Sequence, residues 1–245
     1  MRRRALLGAG CGLLFAGSGR TEPTDEAEVD LLLVLAADVS QSMQDGDLRL
    51  QRRGYADALC DPQVQAAVAS GAHGAIGLAY VEWSGPEDQR ILLPWTRLDG
   101  TEAAEAAALA LAEAPIRSGS WTSISGAIAA ARRLVAAAPF TAQRRVVDIS
   151  GDGANNAGAP ADEERDAAVA EGIVINGLPI LRGAERRARD GRPGETMLEA
   201  HYRQAVIGGP RAFILPASGL ESFADAIRRK LVLEIAGLTP GSRSA

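Results

Sequence analysis

Apolar runs alternate with helical patterns along most of the chain. The run at Val29–Ala37 predicts a parallel strand covered on both faces, and a polar segment follows it. The segments GAIGLAYVEWSG, RRVVDIS and GIVINGLPIL predict further strands, and RAFILPA predicts a last one. QRILLPWTRL predicts an antiparallel strand at an edge of the sheet, because Pro94 has no N–H to donate to a central ladder.

Helical patterns separate these strands. Besides a short turn after Asp61, they cover Gln44–Cys60, Thr101–Glu113, Ile124–Ala137, Ala161–Glu171, Thr196–Val206 and Leu220–Ile235. Strands that alternate with helices favour a doubly wound α/β fold. We therefore predict one Rossmann-like domain at residues 28–236, with a mostly parallel sheet, one antiparallel edge strand and helices on both faces.

Polar side chains follow two of the predicted strands and open one helix. Asp38, Ser40 and Ser42 come at every second position after the first strand, and Asp152 follows RRVVDIS. Thr122 lies in the polar loop before the helix that begins near Ile124. Ligands of open α/β sheets bind at the carboxyl ends of the strands, and right-handed crossovers bring these loops to one edge. The pattern predicts a shared site there.

Three scarce residue types limit the chemistry of such a site. Lys230 is the only lysine, no P-loop motif surrounds it, and we expect it on the exposed face of the last helix. His73, His201, Cys11 and Cys60 are the only histidines and cysteines, so a Cys/His zinc cluster of ordinary spacing is excluded. Cys60 is expected to be a small buried residue. A metal site must therefore use oxygen ligands, which favour Mg²⁺, Mn²⁺ or Ca²⁺.

The order of these polar residues points to a known family. Their pattern resembles the metal-ion-dependent adhesion site (MIDAS) of von Willebrand factor type A (vWA) domains. The residues that match it are Asp38, Ser40, Ser42, Thr122 and Asp152, the last followed by glycine. The resemblance extends over residues 29 to about 235. In the segments YVEWSG, TSISGAI, DISGDGANN and INGLPIL, the chain also resembles an uncharacterised bacterial group of exported, single-domain vWA-like proteins. That narrower resemblance implies no particular activity.

The family resemblance implies a role for each residue. Ser40, Ser42 and Thr122 would coordinate a divalent cation through their hydroxyls, while Asp38 and Asp152 would act directly or through water. Neutral hydroxyls leave the cation only partly neutralised, so it would attract a carboxylate of an acidic partner. Taken singly, these residues have a simpler interpretation, in which Asp38 or Ser40 caps the helix near Gln44 and Thr122 or Ser123 caps the next.

Several neighbours of the predicted site have two interpretations. Gly153 belongs to the D-G turn, and Asn155 and Asn156 would either support the metal ligands or serve as turn residues. Glu82 and Trp83 end the second strand and would border the ligand pocket, although Trp83 and Trp121 also fit packing roles. Asp148 lies in mid-strand, where we expect it to be buried with a partner.

The first residues predict export. Arg2, Arg3 and Arg4 precede the apolar stretch ALLGAGCGLLFAG and small residues near Ser18, which indicates a signal peptide at residues 1–19. The arginines resemble a twin-arginine signal, so we expect a periplasmic protein with no stable membrane span after cleavage; a short membrane anchor is the alternative. The tail at residues 237–245 is expected to be disordered.

A binding module is the function that these features favour. The net charge of −5 argues against a nucleic-acid binder. The alternative is a Mg²⁺-dependent hydrolase or phosphatase, but a phosphatase of the haloacid-dehalogenase type needs a second aspartate where Ser40 stands and a lysine near the phosphate. No G-x-S-x-G elbow of a serine hydrolase occurs. We therefore predict no enzymatic activity.

An arginine-rich insertion follows the GIVINGLPIL strand. It is expected either to be a solvated charged loop or to steer an anionic partner toward the metal without changing metal affinity. Its arginines are Arg182, Arg186, Arg187, Arg189 and Arg192.

Overall fold

The computed structural model describes residues 28–182, 192 and 194–241. Its sheet has five strands in the order β3-β2-β1-β4-β5, and only β3 runs antiparallel to its neighbour. The strands are β1 (Leu31–Asp38), β2 (Ile76–Trp83), β3 (Gln89–Leu98), β4 (Arg145–Gly151) and β5 (Val174–Pro179). The predicted fold class is confirmed, including the antiparallel edge strand that contains Pro94.

Helices cover both faces of the sheet. They are α1 (Asp45–Leu59), α2 (Pro62–Ala69), α3 (Thr101–Glu113), α4 (Ile124–Ala136), α5 (Ala161–Ala170), α6 (Met197–His201) and α7 (Phe223–Ala236). The core between the sheet and α1, α2, α3 and α7 includes Leu31, Leu33 and Leu35. The other core, which includes Leu32 and Val34, lies against α4, α5 and α6. Successive β1 residues therefore face opposite helix layers, which explains why the strand is apolar at nearly every position.

Two predicted elements differ in the structure. The helix expected at 196–206 ends as an α-helix at His201 and continues as a π-helical turn at Tyr202–Val206. RAFILPA does not form a regular strand and makes only isolated bridges, Ile214 with Gly177 and Ala217 with Ile180. The N–H groups of Leu215 and Ala217 donate to Gly177 and Pro179, but Pro179 of β5 has no N–H to donate in return, which interrupts the ladder. Arg211, at the start of the segment, has a left-handed φ of 62°, which is incompatible with an extended strand.

The only lysine of the sequence lies inside the protein, so the prediction of an exposed Lys230 is wrong. Lys230 lies on the buried face of α7, together with Phe223 and Ile227, and the helix packs against α1 and α2. There Lys230 meets Asp148, which gives that buried aspartate the partner it was expected to have. The prediction for Cys60 is also wrong, since this residue ends α1 and is exposed.

The described residues contain no helix that is both long and apolar enough to cross a membrane. The predicted signal peptide and most of the predicted disordered tail, residues 242–245, lie outside the described residues.

Candidate metal centre

The predicted polar loops meet at the point where the sheet topology reverses. β1 is flanked by β2 on one side and by β4 on the other, so the chain leaves the ends of β1 and β4 in opposite directions. Asp38 is the last residue of β1, and Asp152 directly follows the last residue of β4. A crevice of this kind is the usual ligand site of open α/β sheets.

Hydroxyl groups connect the two strand ends. The Oγ atoms of Ser40 and Ser42 lie 3.0 Å apart. Ser42 donates a hydrogen bond to Asp152 Oδ1 at 2.6 Å. The oxygens of these three residues therefore form one continuous cluster, although Asp152 is far away in sequence.

Asp38 supplies a buried carboxylate to the same place. It is 0% exposed, and its Oδ1 accepts a hydrogen bond from the Ser40 N–H at 2.7 Å. Its Oδ2 is buried without a hydrogen-bond partner. Burial raises the pKa of Asp38 to about 7, and the charge of Asp152 raises it as well, against the lowering effect of hydrogen bonds from Ser40. A buried, unpartnered carboxylate oxygen beside a second carboxylate favours a cation.

Gly151 makes room for this carboxylate. A Cβ at this position would lie 2.9 Å from Asp38 Oδ2 and 3.1 Å from the Tyr202 hydroxyl. The end of β4 must therefore be a glycine if Asp38 is to keep its position.

Thr122 is held beside the cluster by its loop. The Gly119 N–H donates to the Val39 carbonyl at 2.8 Å, which ties this loop to the one that follows β1. Asn156 accepts a hydrogen bond from the Thr122 N–H at 2.9 Å and donates its own N–H to the Thr122 carbonyl at 2.8 Å. Across the cleft, a Cβ on Gly153 would lie 3.5 Å from Thr122 Oγ1. Thr122 thus lies next to the turn that carries Asp152.

Asn155 holds the start of α4. Its side-chain oxygen accepts a hydrogen bond from the Ser125 N–H at 3.1 Å. Its own N–H donates to His201 Nε2 at 3.3 Å. Asn155 and Asn156 therefore hold neighbouring loops together and are not simple turn residues.

Helix capping does not account for the polar residues. Gln44 is the N-cap of α1 and forms a capping box with Asp47, so neither Asp38 nor Ser40 has that role. Ser123 caps α4 by accepting a hydrogen bond from the Gly126 N–H at 3.1 Å, and Thr122 does not. The side chains of Asp38, Ser40 and Thr122 have no capping role, in contrast to the simpler interpretation of the sequence.

Glu82 and Trp83 do not form a ligand rim. Their side chains lie on opposite faces of β2, as successive strand residues must, and they are 1% and 0% exposed. The Glu82 carboxylate is occupied by Arg52 at 2.6 Å and by Arg90 at 2.6 Å. Trp83 packs in the core as expected, whereas Trp121, for which packing was also predicted, is 58% exposed beside Thr122.

One arginine of the insertion contacts the cluster directly. Arg182 Nε lies 2.5 Å from Asp152 Oδ2, and its Nη2 lies 3.2 Å from Asp47 Oδ2. This contact places Arg182 at the candidate metal centre, so we expect it to affect metal affinity, in contrast to the expectation from the sequence. Arg192 is exposed, and its N–H bonds Glu195. Arg186, Arg187 and Arg189 lie outside the described residues.

Sequence reasoning missed three side chains beneath the cluster. Gln51 donates to the Asp38 carbonyl at 3.0 Å, Tyr55 donates to Ser150 Oγ at 2.8 Å, and the Tyr202 hydroxyl lies 3.4 Å from the Gly151 carbonyl. They come from α1 and from the π-helical turn. Their local sequence gives no sign of this role, because only the packing of the helices brings them under the strand ends.

The ligands available at this edge are mainly oxygens of neutral groups. Within the described part of the chain, no group of three or more His, Cys, Asp or Glu side chains is arranged to hold a metal. Two carboxylates with hydroxyls suit Mg²⁺, which is usually held by one or two carboxylates and keeps several waters. The orphan oxygen of Asp38 and this set of donors therefore fit a hard divalent cation.

Comparisons with known proteins agree with the fold. The family model described as "Protein of unknown function (DUF1194)" matches residues 28–239. No curated protein matches the chain.

Solved structures with the same fold are distant in sequence. One is proximal thread matrix protein 1 from the mussel byssus, in a structure described with a zinc-occupied MIDAS motif. It has 17% identity and a TM-score of 0.61, and the match covers 86% of this chain and 48% of that chain. A von Willebrand factor type A protein from Catenulispora acidiphila has 15% identity and a TM-score of 0.56, with coverages of 84% and 43%. BatB from Bacteroides thetaiotaomicron has 19% identity and a TM-score of 0.53, with coverages of 84% and 99%.

These likenesses establish the vWA fold. The chain spans about half the length of the mussel protein, with 48% covered.

Proposed function

The chain belongs to the family described as protein of unknown function DUF1194, and we propose that it is a divalent-cation-dependent binding module. The vWA fold and a structural neighbour with a metal-occupied adhesion motif support a module of this general kind. The observation that carries the proposal is the buried Oδ2 of Asp38, which has no hydrogen-bond partner although Asp152 lies close by.

Five side chains would hold the cation. Ser40, Ser42 and Thr122 would offer hydroxyl oxygens, while Asp38 and Asp152 would supply negative charge directly or through water. The short contacts of Ser42 support this assignment, because its Oγ lies 3.0 Å from Ser40 Oγ and 2.6 Å from Asp152 Oδ1. Thr122 would approach from the loop that Asn156 holds in place.

Mg²⁺ is the cation that we propose, with Mn²⁺ or Ca²⁺ as alternatives. All candidate ligand atoms are oxygens, and such sites favour hard cations. The zinc in the mussel protein shows that the motif of that protein binds a divalent cation. It is compatible with a site of this type that accepts more than one metal. When bound, the cation would supply a positive centre that attracts an anionic group.

The partner would be an acidic protein or peptide. Three neutral hydroxyls leave much of a divalent charge uncompensated, so an incoming Glu or Asp carboxylate would be favoured at a position otherwise taken by water. Exposed Trp121 lies next to Thr122 and would contact the surroundings of that carboxylate. A partner captured from envelope extract should be released by EDTA and restored by Mg²⁺. Retention of the partner both by Thr122→Ala and after EDTA would contradict this mode of recognition.

A binding role is favoured over hydrolysis. In the alternative, Asp38 would be a nucleophile with a lysine beside the phosphate, as in haloacid-dehalogenase phosphatases. Asp38 Oδ1 already accepts the Ser40 N–H at 2.7 Å, and Lys230, the only lysine, is buried against Asp148. Robust turnover in a phosphatase and esterase panel with Mg²⁺ would overturn the choice.

Export to the periplasm completes the proposal. It rests on the order of basic, apolar and small residues at 1–19, with a twin-arginine-like start. N-terminal sequencing of the protein from its native host should find a mature chain that begins near residue 20; an intact Met1 in the cytoplasm would contradict it.

Titration calorimetry tests the metal site directly. Wild-type protein should bind Mg²⁺ or Mn²⁺ at one site, and Asp38→Ala and Asp152→Ala should each abolish or greatly weaken binding. Asp99→Ala is the control, because Asp99 is an exposed residue that follows β3 and pairs with nearby Arg97 at 3.1 Å. Unchanged binding in both site variants would show that the site lies elsewhere.

A further inference from the structure

A second charged cluster lies in the core, apart from the candidate metal centre. Lys230 Nζ lies 2.6 Å from Asp148 Oδ1 and 2.5 Å from Glu234 Oε1. The side chains of Lys230 and Asp148 are 0% exposed, and Glu234 is 2% exposed. The cluster joins the middle of β4 to α7, two elements that are far apart in sequence.

Lys230 lies close to both carboxyl groups. Its Nζ donates a hydrogen bond to Glu234 Oε1 at 2.5 Å and lies 2.6 Å from Asp148 Oδ1. The amine is therefore within contact distance of the carboxyl group whose Cγ it would attack.

Burial favours the neutral form of Asp148. The Phe213 ring centroid lies 5.4 Å from Nζ, and Asn176 donates a hydrogen bond to Glu234 Oε1 at 2.9 Å, so neighbouring side chains cover the cluster. One lysine faces two carboxyl groups with water excluded, so the cluster cannot be neutral when all three groups are ionised. Burial raises the pKa of Asp148 to about 7, against the lowering effect of Lys230, and Glu234 raises it further.

We propose that Lys230 and Asp148 join in an intramolecular isopeptide bond, with Glu234 moving the proton. Lys230 first passes one proton to Asp148, which gives a neutral amine and a neutral carboxylic acid. The nitrogen lone pair then attacks Asp148 Cγ, and Glu234 accepts a proton from the nitrogen. Glu234 returns this proton to the departing hydroxyl, so the C–O bond breaks, one water leaves and an amide remains. No oxidant, reductant or other reactant is needed.

The bond would fasten the strand below the candidate metal centre. Asp148 lies four residues before Asp152, and α7 is the last helix of the domain. Cys60 is the only cysteine after residue 27, so a disulfide within the described chain is excluded. A covalent link between positions 148 and 230 would close a long loop and reduce the conformational freedom of the unfolded chain, as a disulfide does.

Mass spectrometry of the denatured full chain tests the bond. After allowance for the substitution, wild-type protein should be lighter than Lys230→Met by the mass of one water, and the comparison cancels any N-terminal processing. Arg229→Met, which changes an exposed neighbour on α7, should retain the mass deficit. Glu234→Gln should lower the bonded fraction severalfold while keeping the shape of the side chain. Equal masses of wild type and Lys230→Met after that allowance would overturn the proposal.

Peptide mapping locates the bond even if the core variants fail to fold. Trypsin should release residues 146–165 linked to residues 230–243, because an acylated Lys230 is not cleaved. A water loss confined to 230–243 would place the bond on Glu234, and an ammonia loss with a link to Asn176 would place it there; either result overturns the Asp148 assignment. Separate peptides with cleavage after Lys230 would exclude the bond.

The single lysine gives an independent measurement. An amine-reactive reagent applied to the denatured wild-type chain should label only the N-terminal amine, as it does in Lys230→Met. A second labelled amine on the wild-type chain would mean that Lys230 is free and would overturn the proposal.

Discussion

Ser42 donates its hydroxyl hydrogen to Asp152 Oδ1 at 2.6 Å, across 110 positions of sequence. The bond connects the loop after β1 to the loop after β4, and it lies where the sheet topology reverses. Ser42 is itself exposed, so this hydrogen bond contributes only modestly to folding, about 1 kcal/mol for a typical hydrogen bond. A loop hydroxyl with little structural value but close contacts to two other oxygens is well placed to be a ligand.

Ser42→Ala should therefore weaken Mg²⁺ binding about tenfold or more while lowering the free energy of unfolding by only about 1 kcal/mol. Calorimetry and urea unfolding measure the two effects separately. Ser70→Ala is the matched control, since the exposed Ser70 hydroxyl bonds only the Ala67 carbonyl at 2.8 Å among its described contacts. Equal metal affinity in wild type and Ser42→Ala would remove Ser42 from the site.

Gly151→Ala should disturb the metal site from within the sheet. The added Cβ would lie 2.9 Å from Asp38 Oδ2, so the carboxylate must shift, at a cost of about 1–3 kcal/mol in folding. Metal affinity should fall as well. Gly46→Ala is the control: nothing lies within 4 Å of its added Cβ, and the substitution in α1 should stabilise the fold by about 0.5–1 kcal/mol. Wild-type metal binding by Gly151→Ala would contradict the placement of Asp38 in the site.

Arg182→Gln should strengthen metal binding. The guanidinium lies 2.5 Å from Asp152 Oδ2, where its positive charge competes with a cation for the same carboxylate. Arg182 is 40% exposed, so the effect should be about two- to fivefold and should shrink as salt is added. Arg192→Gln is the control, because Arg192 is an exposed arginine whose replacement should leave metal affinity unchanged. Weaker binding in Arg182→Gln would mean that the arginine supports the site instead.

Glu82→Gln should destabilise the protein without affecting the metal. Buried Glu82 pairs with buried Arg52 and with partly exposed Arg90, and removing its charge leaves Arg52 undercompensated, at a cost of about 3 kcal/mol. Urea unfolding should show this loss, while Glu87→Gln at an exposed position should show little change. A large loss of metal affinity in folded Glu82→Gln would restore Glu82 to the neighbourhood of the ligand.

The fold could be predicted from the sequence because the patterns that mark its strands and helices are local. The apolar run that became β1 is buried on both faces, and Pro94 marked the strand at the edge. The polar residues that meet at the strand ends were also readable, since topology alone brings such ends together.

Other features depended on packing that no short segment encodes. Lys230 is buried because of how α7 lies against β4, and its charged neighbours are distant in sequence. Asn156 contacts Thr122 across two loops, and Tyr55 and Tyr202 reach the strand ends from helices. RAFILPA has the composition of a strand, but Pro179 in the neighbouring β5 has no N–H to complete the ladder, and Arg211 at the start of the segment is left-handed.

Diffraction from crystals soaked in Mn²⁺, measured at the manganese absorption edge, tests the central claim most directly. An anomalous peak should lie among the oxygens of Ser40, Ser42 and Asp152, with Thr122 and Asp38 beside it, and Asp152→Ala crystals should lack that peak. A peak elsewhere in the protein, or no peak in wild-type crystals saturated with Mn²⁺, would contradict a cation-dependent binding site at the ends of β1 and β4.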